Sequence, residues 1–280
     1  MGIKFLTDSA SDLINNVYEE VSFVPLSVRF GNEEFLDGVN ITHKEFYTRL
    51  LDSKELPSTS QAAPYAFEQE YKKAKDNNDI LIVITMSSKL SGTYQSALMA
   101  SEKYKDMVYV VDSENVTVGE YCLIEYGISL KRKGMEASKI VEELEKAKQK
   151  IHLVALLDTL EYLKKGGRIS KAVAFAGGIL GIKPVIAIDK GQVSILGKAR
   201  GSKQGNNLLV EQINLAGGID YDMPFMLGYT GLSDELLQKY INDNEALWKG
   251  KTDTLSQISV GAAIGTHVGP GAIAIAFFEK

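Results

Sequence analysis

Ser91, Gly92 and Thr93 lie in Ser87-Ser88-Lys89-Leu90-Ser91-Gly92-Thr93-Tyr94-Gln95-Ser96-Ala97, between the apolar run Ile80-Leu81-Ile82-Val83-Ile84 and the segment Leu98-Met99-Ala100. The run reads as a strand buried on both faces and the segment as a helix. Such a corner is where open α/β sheets bind ligands. Unpaired N–H groups at a helix start favour an anion, and Ser91 and Thr93 add O–H donors. Pro57-Ser58-Thr59-Ser60-Gln61 is a second hydroxyl cluster, opening a helix with Pro64 in its first turn. Three successive hydroxyls exceed what one cap needs, so Thr59 and Ser60 are candidate ligand contacts. Gly265-Thr266-His267-Val268-Gly269-Pro270-Gly271 reads as a glycine-rich turn in which packing demands little of the His267 ring. Asp8, at the end of the first strand, and Arg168, just past Gly166-Gly167, complete the polar set.

Two kinds of chemistry fit these residues. Ser91, His267 and an aspartate compose a serine hydrolase, an esterase or thioesterase, but Ser91 lacks the G-x-S-x-G elbow. Donors without an activated nucleophile suit a binding site for an anionic head group, a carboxylate or a phosphate ester. Both compete with plain capping by Ser91, Ser60 and Asp8. There is no phosphate-binding G-x-x-x-x-G-K-[ST] loop and no dinucleotide fingerprint. Three scattered histidines give no metal-ligand spacing, so neither a metal nor a cofactor is expected.

Strands and helices alternate from Ile3 to Lys150, which predicts a mainly parallel sheet with helices on both faces. Ile3-Lys4-Phe5-Leu6, Phe23 to Phe30 and Met107 to Val111 read as further strands, with Pro25 marking an edge. Thr42-His43-Lys44-Glu45 is a capping box that opens a helix and turns His43 to solvent. Residues 151–280 read as a second α/β domain with a mixed or antiparallel sheet. Its strands are Ile151 to Leu157, Lys183 to Ile188, Val193 to Leu196, Phe225 to Thr230, Thr254 to Val260 and Ala272 to Phe278. Helices are expected over Ala172 to Leu180, Lys203 to Ala216 and Asp234 to Trp248. Residues 1–150 form the first domain, and the ligand is expected between the two.

A net charge of −5 argues against general nucleic-acid affinity. The single cysteine, Cys122, excludes an internal disulfide and lies in an apolar helical run that predicts an inert buried thiol. Met1-Gly2-Ile3-Lys4-Phe5 runs directly into a strand, no apolar run reaches membrane-spanning length, and the expected compartment is the cytoplasm. Against the acidic average, Lys164, Lys165, Arg168, Lys171, Lys183, Lys190, Lys198, Arg200 and Lys203 form a basic zone in which only Asp189 opposes them. A zone of one sign steers a partner of the other.

The blocks Thr7-Asp8-Ser9, Thr59-Ser60-Gln61, Leu90-Ser91-Gly92-Thr93-Tyr94, Val111-Asp112-Ser113, Leu160 to Ile169, Lys183-Pro184 and Thr266-His267-Val268-Gly269-Pro270-Gly271 together resemble the DegV family along the whole chain. The resemblance implies a long-chain fatty acid bound between two α/β domains. It also implies the role of the fatty-acid-binding subunit (FakB) of a bacterial fatty acid kinase, itself non-catalytic. A separate ATP-dependent subunit (FakA) would phosphorylate the bound carboxylate, and the acyl phosphate would enter phospholipid synthesis. Carried over by motif, Thr59, Ser60, Ser91, the Gly92 backbone and His267 would meet the carboxylate, with Asp8 and Arg168 supporting the polar end. Arg200 looks like a residue that engages the kinase subunit, and the basic zone extends that docking role to Lys171 and Lys203.

Overall fold

A computed structural model describes residues 2–13, 18–169 and 182–280. The first half runs β1 (Ile3–Asp8), β2 (Val21–Val24), β3 (Ser27–Phe30), β4 (Glu33–Leu36), α1 (His43–Asp52), β5 (Ser58–Ser60), α2 (Pro64–Asp76), β6 (Ile80–Thr85), α3 (Thr93–Ser101), β7 (Val108–Asp112), α4 (Thr117–Arg132) and α5 (Ala137–Ala147). The second half runs β8 (Ile151–Leu156), α6 (Glu161–Lys165), β9 (Ile182–Asp189), β10 (Gln192–Arg200), α7 (Gly201–Leu215), β11 (Met226–Tyr229), α8 (Glu235–Asp243), β12 (Gln257–Ser259), α9 (Ala262–Val268) and β13 (Ile273–Phe278).

Strands β2-β1-β6-β7 form a parallel sheet, and β10-β9-β8-β13-β11-β12 a mixed one, antiparallel except at β11–β12. The α/β class and the contrast between the two sheets are as the sequence predicts. A parallel sheet needs both faces covered, which is why β6 is a nearly unbroken apolar run. Helices α2 and α3 pack together against it, as do α4 and α5. Helix α4 also touches β8, β11 and β13, so it lies between the two sheets. That double contact explains why most of α4 is buried, Cys122 included, whose thiol donates to the Ala276 carbonyl.

The mixed sheet sorts its residues by the period of two. Leu153 and Ala155 of β8 face the large core shared with the parallel sheet, whereas Val154 and Leu156 face a second core under α7 and α8. On β9, Ile186 and Ile188 take the first face, Val185 and Ala187 the second. The large core is continuous from Phe5 to Phe278 and so runs across both halves of the chain.

Several local expectations are corrected. Phe23 to Phe30 is not one strand: β2 belongs to the parallel sheet and β3 to a separate sheet, β4-β3-β5. Pro25 has no N–H to continue a ladder, and the chain turns there, with the Leu26 N–H donating to Ser9 Oγ at 3.0 Å. Thr59 sits on β5 opposite Val28 rather than in a helix-opening turn. Val193 to Leu196 extends to Arg200 through a bulge between Ile195 and Gly197, and Thr254 to Val260 shortens to Gln257–Ser259. His43 does not face solvent: its Nε2 is buried against Gly261, although the capping box of Thr42 and Glu45 forms as predicted. The segment around His267 is helix α9 rather than a turn. The helix expected over Ala172 to Leu180 and the candidate docking residue Lys171 lie outside the described residues.

Candidate functional site

Between the sheets runs a cleft of about 890 Å³, the solvent at its mouth included. Its walls are mostly apolar because the inward faces of several elements converge on it: Leu153 and Ala155 from β8, Ile186 and Ile188 from β9, Val193 from β10, Ile264 from α9. The lining is that of a site for an apolar ligand oriented by a few polar groups.

The polar groups of the lining form two separate hydrogen-bonded pairs, Thr59 with His267 and Ser91 with Thr93, and Arg168 is held apart by backbone carbonyls. Strand β5 turns Thr59 inward, and its Oγ1 lies 2.8 Å from Nε2 of His267 in the last turn of α9. The other ring nitrogen, Nδ1, is buried with no hydrogen-bond partner among the described residues. Gly166 makes this approach possible, since a Cβ there would fall 2.1 Å from Nδ1. Burial lowers the imidazole pKa to about 4, and the Arg168 cation adds to the effect, so the ring is neutral at neutral pH. An orphaned buried N–H is rarer than an unused lone pair, which favours the tautomer with the proton on Nε2. His267 then donates to Thr59, and the Thr59 hydroxyl proton is left to point into the cleft.

Ser91 also lines the cleft. Its Oγ lies 2.9 Å from Thr93 Oγ1 and accepts the Thr93 N–H at 3.3 Å, so it serves the start of α3 and the cleft at once. The imidazole is paired with Thr59 and the Ser91 hydroxyl with Thr93, which is not the serine–histidine pairing of a hydrolase. Arg168 also lines the cleft. Its guanidinium is held by backbone carbonyls, Nη1 donating to Gly166 O at 2.6 Å and Nε to Leu90 O at 3.3 Å. Ser60 is at the rim of the same cleft.

Two predicted residues stand behind the lining. Gly92 is the N-cap of α3, packed so closely that a Cβ would meet Gln61 Oε1 at 2.0 Å. Asp8 is fully buried and accepts the N–H groups of Ala10 at 3.0 Å and Met86 at 2.8 Å. Met86 does line the cleft, so Asp8 braces its wall. Burial raises the Asp8 carboxyl to about 7 despite those two donors. Arg200 and Lys203 are exposed at the β10–α7 junction, away from the lining. Within the basic zone, Lys183 is paired with Asp158 at 2.6 Å, a neutralising partner that lies outside the stretch read for charge.

Sequence reasoning missed Thr117, Tyr229 and Thr230, which line the cleft from α4 and the end of β11. Thr117 Oγ1 donates to Asp12 Oδ2 at 2.5 Å, and Thr117 holds φ +45°, a costly conformation for a β-branched residue. Nothing in the local sequence marks it. Among the described residues, no cluster of His, Cys, Asp or Glu could hold a metal ion, and no helix is long and apolar enough to cross a membrane.

The DegV family model, described as "Uncharacterised protein, DegV family", matches residues 2–280. A DegV domain-containing protein of Caldanaerobacter subterraneus subsp. tengcongensis is 31% identical over 283 residues, covering 99% of each chain. The solved DegV family protein of Thermus thermophilus, described by its fatty acid binding, matches with a TM-score of 0.89 at 28% identity over 100% of both chains. The stearic-acid-binding protein of Eubacterium ventriosum matches with a TM-score of 0.88 at 28% identity, over 100% of this chain and 99% of the other.

Proposed function

The chain belongs to the DegV family, and on that premise we propose that it binds a long-chain fatty acid and presents the carboxylate to a separate ATP-dependent kinase subunit (FakA). The observation that carries this reading is a mostly apolar cleft whose lining includes the hydrogen-bonded Thr59–His267 pair and Ser91. A saturated tail of about fourteen methylenes, at roughly 0.8 kcal/mol each, offers about 11 kcal/mol before the costs of association. The head group therefore need not supply affinity. It must be held in one orientation, desolvated but paired.

Neutral donors do this without quenching the nucleophile. The hydroxyls of Thr59 and Ser91 would donate to one carboxylate oxygen or to both. A neutral His267 backs Thr59 without placing a second full charge on the ligand. Arg168, committed to the carbonyls of Gly166 and Leu90, supports an electrostatic role near the carboxylate rather than a bidentate clamp on it. A carboxylate oxygen then attacks the γ-phosphorus of ATP on the partner subunit. The new O–P bond forms as the bond to ADP breaks, leaving acyl phosphate in the cleft and feeding phospholipid synthesis. This chain contributes no covalent step, and the reading places it in the cytoplasm.

The test is reconstitution with stearate, ATP and the kinase subunit of the same cell. Stearoyl phosphate should accumulate only when this protein is present, and a fluorophosphonate probe should leave Ser91 unlabelled. Labelling of Ser91, or release of free acid from an acyl ester without ATP, would establish the esterase instead.

A further inference from the structure

We propose that Asp12 and Asp37 are positioning residues for the head-group site, holding the N-terminal end of α9 and thereby fixing where His267 meets Thr59. The inference rests on the carboxylate reading of the cleft. Helix α9 spans seven residues, too few to be stable alone in water. Its C-terminal turn carries His267, and Ala263, Ile264 and Val268 give it a face on the cleft. Its position is therefore decided by what grips it from outside.

The first N–H groups of a helix need external acceptors. Here they are supplied from more than two hundred residues away in sequence. Asp12 Oδ1 accepts the Gly261 N–H at 2.7 Å, and the Asp37 carboxylate accepts those of Ala262 and Ala263 at 3.0 Å each. Both aspartates are buried, at 7% and 1% exposure, so their oxygens have few other partners and the grip is not shared with water. Gly261 permits it: a Cβ there would lie 2.8 Å from Asp12 Oδ1, 2.8 Å from His43 Nε2 and 3.2 Å from Asp37 Oδ1.

Asp12 does a second thing. Its Oδ2 accepts the hydroxyl of Thr117, which lines the cleft and opens α4. One carboxylate thus ties the start of α4 to the start of α9. At the far end of α9 the register set in this way is read out as the 2.8 Å separation of His267 Nε2 from Thr59 Oγ1. A displacement of about 1 Å at such a pair is enough to misplace a reacting group.

The experiment follows the carbon-13 resonance of [1-¹³C]stearate bound to the full chain. His267→Ala, which removes the contact, defines the shift to be expected when the carboxylate loses its partner. Asp37→Asn should retain stearate and move the resonance in the same direction. Leu209→Ala, in the second core, should lower the melting temperature and leave the resonance in place. An unmoved resonance in stearate-loaded Asp37→Asn would overturn the proposal while leaving the fatty-acid reading intact. Failure of the wild type to bind stearate would instead remove that reading. Should Asp37→Asn not fold, through-hydrogen-bond couplings in the wild type between the Asp37 carboxyl carbon and the amide nitrogens of Ala262 and Ala263 decide: their presence upholds the clamp, and their absence overturns it.

Discussion

Replacing Thr59 by Ala removes one donor from the proposed carboxylate site and leaves the apolar walls intact. A hydrogen bond to a charged group contributes about 1.5–3 kcal/mol, so acyl phosphate formation should fall roughly tenfold or more at unchanged lipid occupancy. Turnover in the reconstituted reaction, with lipid content measured on the same sample, checks this; unchanged turnover would remove Thr59 from the site. His267 offers a sharper reading. Its pKa, lowered to about 4 by burial and by Arg168, lies below the value of roughly 6.5 for a free imidazole. The folded chain therefore takes up this proton less readily than the unfolded one. Its contribution to stability is complete above pH 6.5 and is lost as pH falls towards 4, a change on the order of 3 kcal/mol. Asp8 works in the other direction: with its carboxyl raised to about 7, the folded chain keeps a proton that the unfolded chain releases near pH 4, and stability from this group falls as pH rises through that window. The two oppose each other in a melting curve, so the clean observation is the separate NMR titration of each. An imidazole midpoint near 6.5 for His267 would contradict the buried, neutral assignment.

Helix α9 shows how much of the site could be read in advance and why the rest could not. The glycines around His267 suggest a turn, yet their spacing serves close packing. Gly265 faces α1, where a Cβ would fall 2.6 Å from Tyr47 Oη and 2.7 Å from the Phe46 ring. Both rings are fully buried, and Tyr47 donates to the Val260 carbonyl at 2.9 Å, so neither can give way cheaply. Gly265→Ala should cost about 1–3 kcal/mol, the usual range for overpacking, and would appear as a lowered denaturation midpoint; an unchanged midpoint would show that α1 and α9 have slack. Strands β1, β6 and β8 were legible because β-branched runs and alternation depend on neighbours in sequence. The small sheet β4-β3-β5 was not, because its strands are short and their partners are set by the break at Pro25. Thr59, Ser91, Arg168 and His267 were legible as residue types; all four line one cleft, and only Thr59 and His267 are paired with each other. Thr117, Asp12 and Asp37 were not, since their partners lie more than a hundred residues away.

The large core runs through both halves of the chain, so the cleft is walled by two sheets that share one apolar interior rather than by two independent bodies. On the proposed reading, a tail inserted there would become part of the core, with its head group at Thr59, His267 and Ser91. Arg200 and Lys203 are exposed at the β10–α7 junction and do not line the cleft. Arg200→Ala should slow association with the kinase subunit and weaken its salt dependence, with bound lipid unchanged; loss of bound lipid would place Arg200 in the cleft instead. The binding of a fatty acid is the claim on which the rest turns, and native mass spectrometry of the purified chain tests it most directly. The account predicts a population heavier than the polypeptide by the mass of one long-chain fatty acid, displaced by added stearate. A chain that carries only a phosphate ester, or nothing, and takes up no stearate would contradict it.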